Sequence, residues 1–412
     1  MARVIVLGAG MVGTASALAL QAQGHEVALI DRKAPGRETS YGNAGIIQGE
    51  AVEPYALPVS PAKLLSLAMG ADNAVRLTPA GVLGQLGGLL GYLANSLPAR
   101  HRKIAASYAQ LVKAATADHD VLIEASGAGN LITKQGFRQG YMDAAAFTAM
   151  EPEITRLARD YGVNAELMDG DALATAEPAL KKRFAGAVHW HDAWSCASPG
   201  DLVGAYAQLL VSRGGQLLTG DAMSLKQVGS GWQVMSDGGP VSAEKVVVAL
   251  GPWAPQLMKR FGYRIPMVRK RGYHLHFSGT HRLNLPLMHT GASTVFSPMK
   301  DGLRVATGAE LAPMSAPVNR SQLIKAEAAA RALLDIGPAV EADPWFGNRP
   351  CMPDMMPVMG EMPRHPGLWA HFGHGHQGFT LGPTTARLMA DAMAGDSGPL
   401  VQALSPLRYT GK

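Results

Sequence analysis

Two parts of this chain carry residues whose types and spacing could do chemistry. Near the N-terminus, Gly8-Ala9-Gly10-Met11-Val12-Gly13 follows an apolar run, and Asp31 stands eighteen residues beyond the last glycine. In a strand–turn–helix setting the first glycine permits the tight turn and the second lets the backbone approach a pyrophosphate. The third lets helix and strand pack closely, and the acid meets a ribose hydroxyl. Far along the chain, Arg349 offers a permanently charged planar fork, the natural partner of a carboxylate, with a plain salt bridge to Asp354 as the competing reading. His374 and His376, set in a glycine-rich turn, titrate in the range useful for acid–base work or else hydrogen-bond a ligand or their own loop. Tyr273 and His274 open an alternating stretch that would line the other side of a pocket, with Arg304 and Glu310 on the neighbouring one.

The elements that must position these groups are legible in outline. Ala2–Leu7 reads as a buried strand, Thr14 to Gln23 as a helix ending at Gly24, and HEVALID as a second strand delivering Asp31. A helix is expected over 101–126, another from Pro199 to Leu210, a strand pair over 216–228 and 232–237, and a fully buried strand from Lys245 to Leu250. GYHLHF (272–277) and LRVATGAEL (303–311) read as antiparallel strands of a second sheet, followed by helices over 320–334 and 381–394.

Composition bounds the answer without naming it. The chain has 412 residues, 47% hydrophobic and 17% charged, which favours two folded domains over disorder. The net charge of +5 is spread out apart from Lys181-Lys182-Arg183 and Arg269-Lys270-Arg271, so nucleic-acid binding is not expected. Two cysteines, Cys196 and Cys351, lack metal or C-x-x-C spacing, and no metal site is expected. From Thr78 to Pro98 the chain carries no charge; its glycines and Gln85 favour a buried or interfacial helix over a membrane span.

Further blocks carry a family resemblance. Glu38-Thr39-Ser40-Tyr41-Gly42-Asn43-Ala44-Gly45, then Gly347-Asn348-Arg349-Pro350-Cys351-Met352-Pro353-Asp354, and finally Phe372-Gly373-His374-Gly375-His376-Gln377-Gly378-Phe379 span most of the chain. They resemble the FAD-dependent amine oxidoreductases of the D-amino-acid oxidase superfamily, in the D-amino-acid dehydrogenase branch. The Arg271–His274 and Gly373–His376 stretches look closest to the glyphosate oxidoreductase type. The resemblance implies an α/β fold: a Rossmann-like FAD-binding domain of the glutathione-reductase type (1–50, 193–262 and 343–412), beside an α+β substrate domain on a mostly antiparallel sheet (51–192 and 263–342). The helix over 101–126 is left open between the two parts.

It further implies non-covalent FAD held by Gly8, Gly10, Met11, Val12, Gly13, Asp31, Arg32, Ser40, Asn43, Ala44, Gly45, the Met223 backbone, Gly251, Gly373, Gly375 and Gly378. Arg349 would hold the substrate carboxylate, Tyr273 and His274 would face it, and His374 or His376 would take the amine proton or bind the flavin. The expected activity is oxidation of the C–N bond of a D-amino acid or N-substituted glycine. Reoxidation by oxygen or by a respiratory quinone is open, as is a role as flavin subunit of a heteromeric complex; an NAD-dependent dehydrogenase would leave the later blocks idle. The expected location is cytoplasmic, with peripheral contact at the membrane surface and the oligomeric state both open.

Overall fold

The computed structural model describes residues 1–60, 73–279 and 283–410. Two large sheets dominate it. The first has eight strands, in the order Gly239–Ala243, Gly231–Ser236, Gln216–Val228, Glu26–Asp31, Arg3–Leu7, Lys245–Val248, Leu368–Phe372 and Val358–Glu361. Its five middle strands run parallel, and the pairs at both edges are antiparallel. Ile5, Val6 and Leu7, with Val246, Val247 and Val248, are fully buried, as parallel strands covered on both faces must be. Removing each such side chain from water contributes roughly 1.5–3 kcal/mol.

The second sheet is mostly antiparallel. Val268–Phe277 pairs antiparallel with both Gly302–Ala306 and Trp345–Cys351, and the sheet continues through Thr294–Met299, Leu287–His289, Phe137–Tyr141, Gly186–Trp190 and Ala165–Asp169. Trp345–Cys351 was expected with the nucleotide-binding segment that begins at 343, yet its hydrogen bonds are made to the second sheet. Gly347 and Gly272 oppose each other there and leave room for side chains, the Trp345 ring over Gly42 and Gly347 and the Arg349 guanidinium over Gly272. The chain therefore passes from the second sheet to the first between Cys351 and Val358, just beyond Arg349.

The long helix Pro98–Ser126 has proline in its first turn and ends at Gly127, whose φ of 67° only glycine adopts freely. It packs against the last long helix, Gly378–Met393: Arg387 pairs with Asp118, and buried His119 meets the Phe379 carbonyl at 2.9 Å. The segment therefore packs on a helix that belongs with the parallel sheet. The expected single strand over 303–311 is instead two strands, Gly302–Ala306 and Ala309–Leu311, because at Gly308 the backbone approaches Ala74 so closely that a Cβ would lie 2.2 Å from its carbonyl oxygen. The uncharged stretch folds as two short helices, Pro79–Leu83 and Leu86–Asn95, with Leu83 and Leu90 71% and 59% exposed. No helix among the described residues is long and apolar enough to cross a membrane.

Candidate active site

One cavity of about 810 Å³ lies between the two sheets, in the upper range for small-molecule sites. Two helices begin at it, neither capped by the side chain of its own N-cap residue. Met11–Ala22 starts at Gly10, and Gly378–Met393 starts after Gln377; Gly382 packs on Met11, so the helices run side by side. Free N–H groups and the positive end of each helix dipole therefore face a common space, an arrangement suited to an extended anionic ligand.

The glycines at the first helix act by excluding atoms. Gly8 has φ of 105°, and a Cβ there would lie 2.6 Å from the Ala249 oxygen; at Gly13 it would lie 1.8 Å from the Gly8 oxygen. Around them the polar groups are held in place. Ser40 accepts the Met11 N–H at 2.9 Å, which leaves its hydroxyl hydrogen for a ligand oxygen. Asp31 accepts the Ala9 N–H at 2.6 Å and the Lys33 N–H at 3.1 Å, and its carboxylate keeps acceptor capacity. Arg32 pairs with Glu38 and stacks 4.6 Å over Trp253.

Asn43 turns the following loop by accepting the Gly45 and Ile46 N–H groups, and Ala44 accepts from Ser297. At Met223 the strand register shifts between Asp221 and Lys226, and Asp221 takes the Met223 N–H at 2.8 Å. Met223 borders the cavity at that irregularity. Gly251 (φ 51°), Gly373 (φ 88°) and Gly375 (φ 61°) make the turns that close this wall.

Of the expected cofactor residues, Gly8, Gly10, Met11, Val12, Asp31, Arg32, Ser40, Asn43, Ala44, Met223, Gly251, Gly373, Gly375 and Gly378 line the cavity. Gly13 and Gly45 sit behind it, the first under the glycine turn and the second against the Cys196 carbonyl. A cradle that a Cβ would fill, two uncapped helix starts and a polar loop between them fit FAD. Cys351 is buried, outside the cavity lining, with a thiol that burial raises, in keeping with a non-covalent cofactor.

The substrate side departs more from expectation. Arg349 lines the cavity, and among the described residues its guanidinium hydrogen-bonds only carbonyl oxygens, Gly308 at 3.0 Å and Thr307 at 3.4 Å, both supplied by the break in the 303–311 stretch. The salt bridge with Asp354 does not form, because Asp354 is taken by Arg408 at 2.7 Å. Burial lowers the Arg349 pKa, the sign expected of a cation without a counter-charge.

Tyr273 also borders the cavity, but its hydroxyl is bonded to Glu310, which pairs in turn with Arg76. His274 lies outside the lining, stacked on Trp345 at 4.9 Å. Arg304 is turned away as well, binding the Tyr41 and Asn43 carbonyls and so fixing the cofactor-side loop.

His374 and His376 both line the cavity, and burial holds each near a pKa of about 3; for His376 the charges of Arg349 and Lys270 add to it. Neutral at physiological pH and weakly basic, they are poor acceptors for an ammonium proton. His374 instead bonds Thr385, and His376 stands edge-on to Tyr55 at 4.3 Å.

Two groups were missed. Glu50 is 6% exposed, lines the cavity, and is pushed up to about 7 chiefly by burial; Gln48 bonds one oxygen at 2.9 Å while the other has no partner among the described residues. Its signal was a lone acid in the apolar run that follows the cofactor loop. Lys270 also lines the cavity; strand alternation places it opposite to Arg269 and Arg271, a distinction the basic triplet concealed. Elsewhere, Glu166, His189 and His191 bring potential metal-ligand atoms within 4.8 Å on the outer strands, and the His189 Nε2 already meets the Gln135 carbonyl at 2.7 Å.

Known proteins share both the sequence and the architecture. A family model described as FAD dependent oxidoreductase (DAO) matches residues 3–392. A D-amino-acid oxidase of Bradyrhizobium diazoefficiens is 30% identical over 418 residues, covering 98% of either chain, and a D-amino acid dehydrogenase of Chromohalobacter salexigens is 30% identical over 411, covering 95% of this chain and 96% of its own. Among solved structures, glycine oxidase from Geobacillus kaustophilus superposes with a TM-score of 0.70 at 22% identity, covering 97% and 96% of the two chains. L-proline dehydrogenase from P. horikoshii gives 0.72 at 16%, covering 99% and 97%; at these identities the likeness speaks for the fold. With a glycine cradle built for a dinucleotide and a match along nearly its whole length, the chain belongs to the DAO family of FAD dependent oxidoreductases.

Proposed function

We propose that this protein oxidises the C–N bond of an amino acid, either a D-amino acid or an N-substituted glycine, to an imine that water hydrolyses to a 2-oxo acid and an amine or ammonia. The observation that carries this reading is Arg349, a cation at the cavity wall that among the described residues is bound only by carbonyl oxygens, which a substrate carboxylate would complete. The names of the D-amino-acid oxidase and dehydrogenase relatives point the same way. Bound FAD supplies the hydride acceptor.

The chain's own groups do the rest. Arg349 fixes the carboxylate and thereby the direction of the Cα hydrogen. Glu50, poised near neutrality, accepts the proton that an ammonium must lose before its nitrogen lone pair can form the imine. Gly378 and Phe379 open an uncapped helix whose N–H groups favour negative charge in the cavity. Phe137, Leu157, Trp190 and Met288 form an apolar flank that limits water around the reacting carbon.

For the electron acceptor, the exposed leucines of the short helices precede Arg100, Arg102 and Lys103. An apolar patch beside basic residues suits peripheral contact with an anionic membrane, where a quinone would be met. The test is anaerobic mixing of the flavin-loaded protein with D-amino acids, L-amino acids and N-substituted glycines, read as bleaching of the flavin band. Bleaching by one group names the substrate class, and admission of oxygen then tells oxidase from dehydrogenase. A flavin that none of them bleaches would sink the reading.

A further inference from the structure

We propose that the preferred substrate carries a second oxyanion besides its α-carboxylate, with Arg349 binding the carboxylate and Lys270 the second group. This rests on the amine-oxidation reading above and specifies its substrate class.

The antiparallel register sets Lys270 directly opposite Arg349, so the two side chains leave the sheet on one face, and both line the cavity. Like charges directly opposite each other destabilise a strand pair. Among the described residues neither cation has a carboxylate partner. Lys270 is 4.1 Å over the Tyr92 ring, and Arg349 has the two carbonyls of the broken strand.

Arg271, the next residue along the strand and on its other face, shows what the fold does with a cation that has no such task. It is fully buried, four carbonyl oxygens from the 313–317 segment accept from it, and Glu310 stands within 4.0 Å. The means of neutralising a buried cation thus lie one residue away and are not applied to Lys270 or Arg349.

Gly272 makes the room. A Cβ there would lie 2.8 Å from an Arg349 terminal nitrogen, so the guanidinium lies over Gly272. Both cations border one cavity, while neutral His376, which feels both charges, contributes no anion. A single carboxylate satisfies one of them. A short substrate with two anionic ends, separated by a few atoms, satisfies both.

The test uses the flavin-loaded protein and near-isosteric pairs: D-aspartate with D-asparagine, D-glutamate with D-glutamine, and iminodiacetate with its monoamide. The acid is expected to reduce the flavin with a kcat/KM at least roughly tenfold above its amide in one pair or more. Lys270→Gln should collapse that ratio, and Lys270→Arg should retain it. A direct binding arm needs neither turnover nor a variant: malonate and succinate should perturb the flavin spectrum at concentrations at least roughly tenfold below acetate and propionate.

Amides equal to or better than acids in every pair, with mono- and dicarboxylates binding alike, would overturn the two-anion site. Preferential dicarboxylate binding without reduction by any amine would overturn the oxidation reading and leave the two-anion site standing.

Discussion

The cofactor wall and the substrate wall of the same cavity are built on opposite plans. Around Gly8–Gly13 the binding groups are backbone N–H groups and missing side chains, supplied by one strand, one turn and one helix contiguous in sequence. The facing wall is made of side chains, Glu50, Lys270, Arg349 and His376, drawn from four distant segments and poised by burial and mutual charge. A site made of backbone tolerates little change in shape and much change in charge; a site made of charged side chains does the reverse.

The most damaging test of that contrast is Gly13→Val. Its side chain would begin 1.8 Å from the Gly8 oxygen, so the purified variant should retain less than roughly a tenth of the flavin per protein, read from absorbance. Full flavin content would mean that the turn can move and that the cradle is not shape-limited.

Arg349→Met should act on the other wall alone. Loss of a charge-assisted pair costs about 2–5 kcal/mol, so kcat/KM should fall on the order of 10²–10³-fold while flavin content stays normal. Arg349→Lys should recover little of it, because the two carbonyl anchors need a planar fork.

Glu50→Gln separates chemistry from stability through pH. The folded pKa of about 7 lies above the ordinary 4.5, so the native state binds this proton more tightly than the unfolded chain does. The stability that this confers is full below 4.5 and is lost as pH rises through about 7. The difference amounts to about 3 kcal/mol. Glutamine does not ionise, so the apoprotein of the variant should melt higher than wild type at pH 8 and lose that advantage toward pH 5. In the holoenzyme, the rise of kcat/KM through neutral pH should disappear. An unchanged pH profile would remove Glu50 from proton transfer.

The smallest expected effect lies outside both walls. Leu83→Gln or Leu90→Gln should reduce binding to anionic vesicles by roughly tenfold or more for a fully inserted leucine, without changing flavin reduction. Equal vesicle binding would dissociate the leucine patch from the membrane.

The cradle could be read ahead of the structure because every contact in it is local: strand, glycine spacing and helix periodicity are properties of neighbours in sequence. Most of the expected cofactor residues accordingly reach the cavity. Arg349 was legible for a different reason, since few side chains suit a carboxylate so well.

The surroundings of Tyr273, His274, His374 and His376 were not legible, because a residue's type does not say what it touches. The Tyr273 hydroxyl is consumed by Glu310, His274 lies against Trp345, and burial leaves His374 and His376 near a pKa of about 3. Glu50 is an ordinary acid until the apolar surroundings shift it.

The sequence by itself determined the parallel sheet, the two helices at the cavity, the dinucleotide cradle and the cation at 349, all of which follow from local pattern or from a residue's intrinsic chemistry, although the helices start at Met11 and Gly378, three residues earlier than expected. Only the tertiary structure decided that Trp345–Cys351 pairs with Val268–Phe277, that a strand breaks at Thr307 and Gly308 to hold Arg349, and that Lys270 stands across from it. Register between distant strands, and the desolvation that goes with it, depend on the whole packed chain, and no window of neighbouring residues contains them.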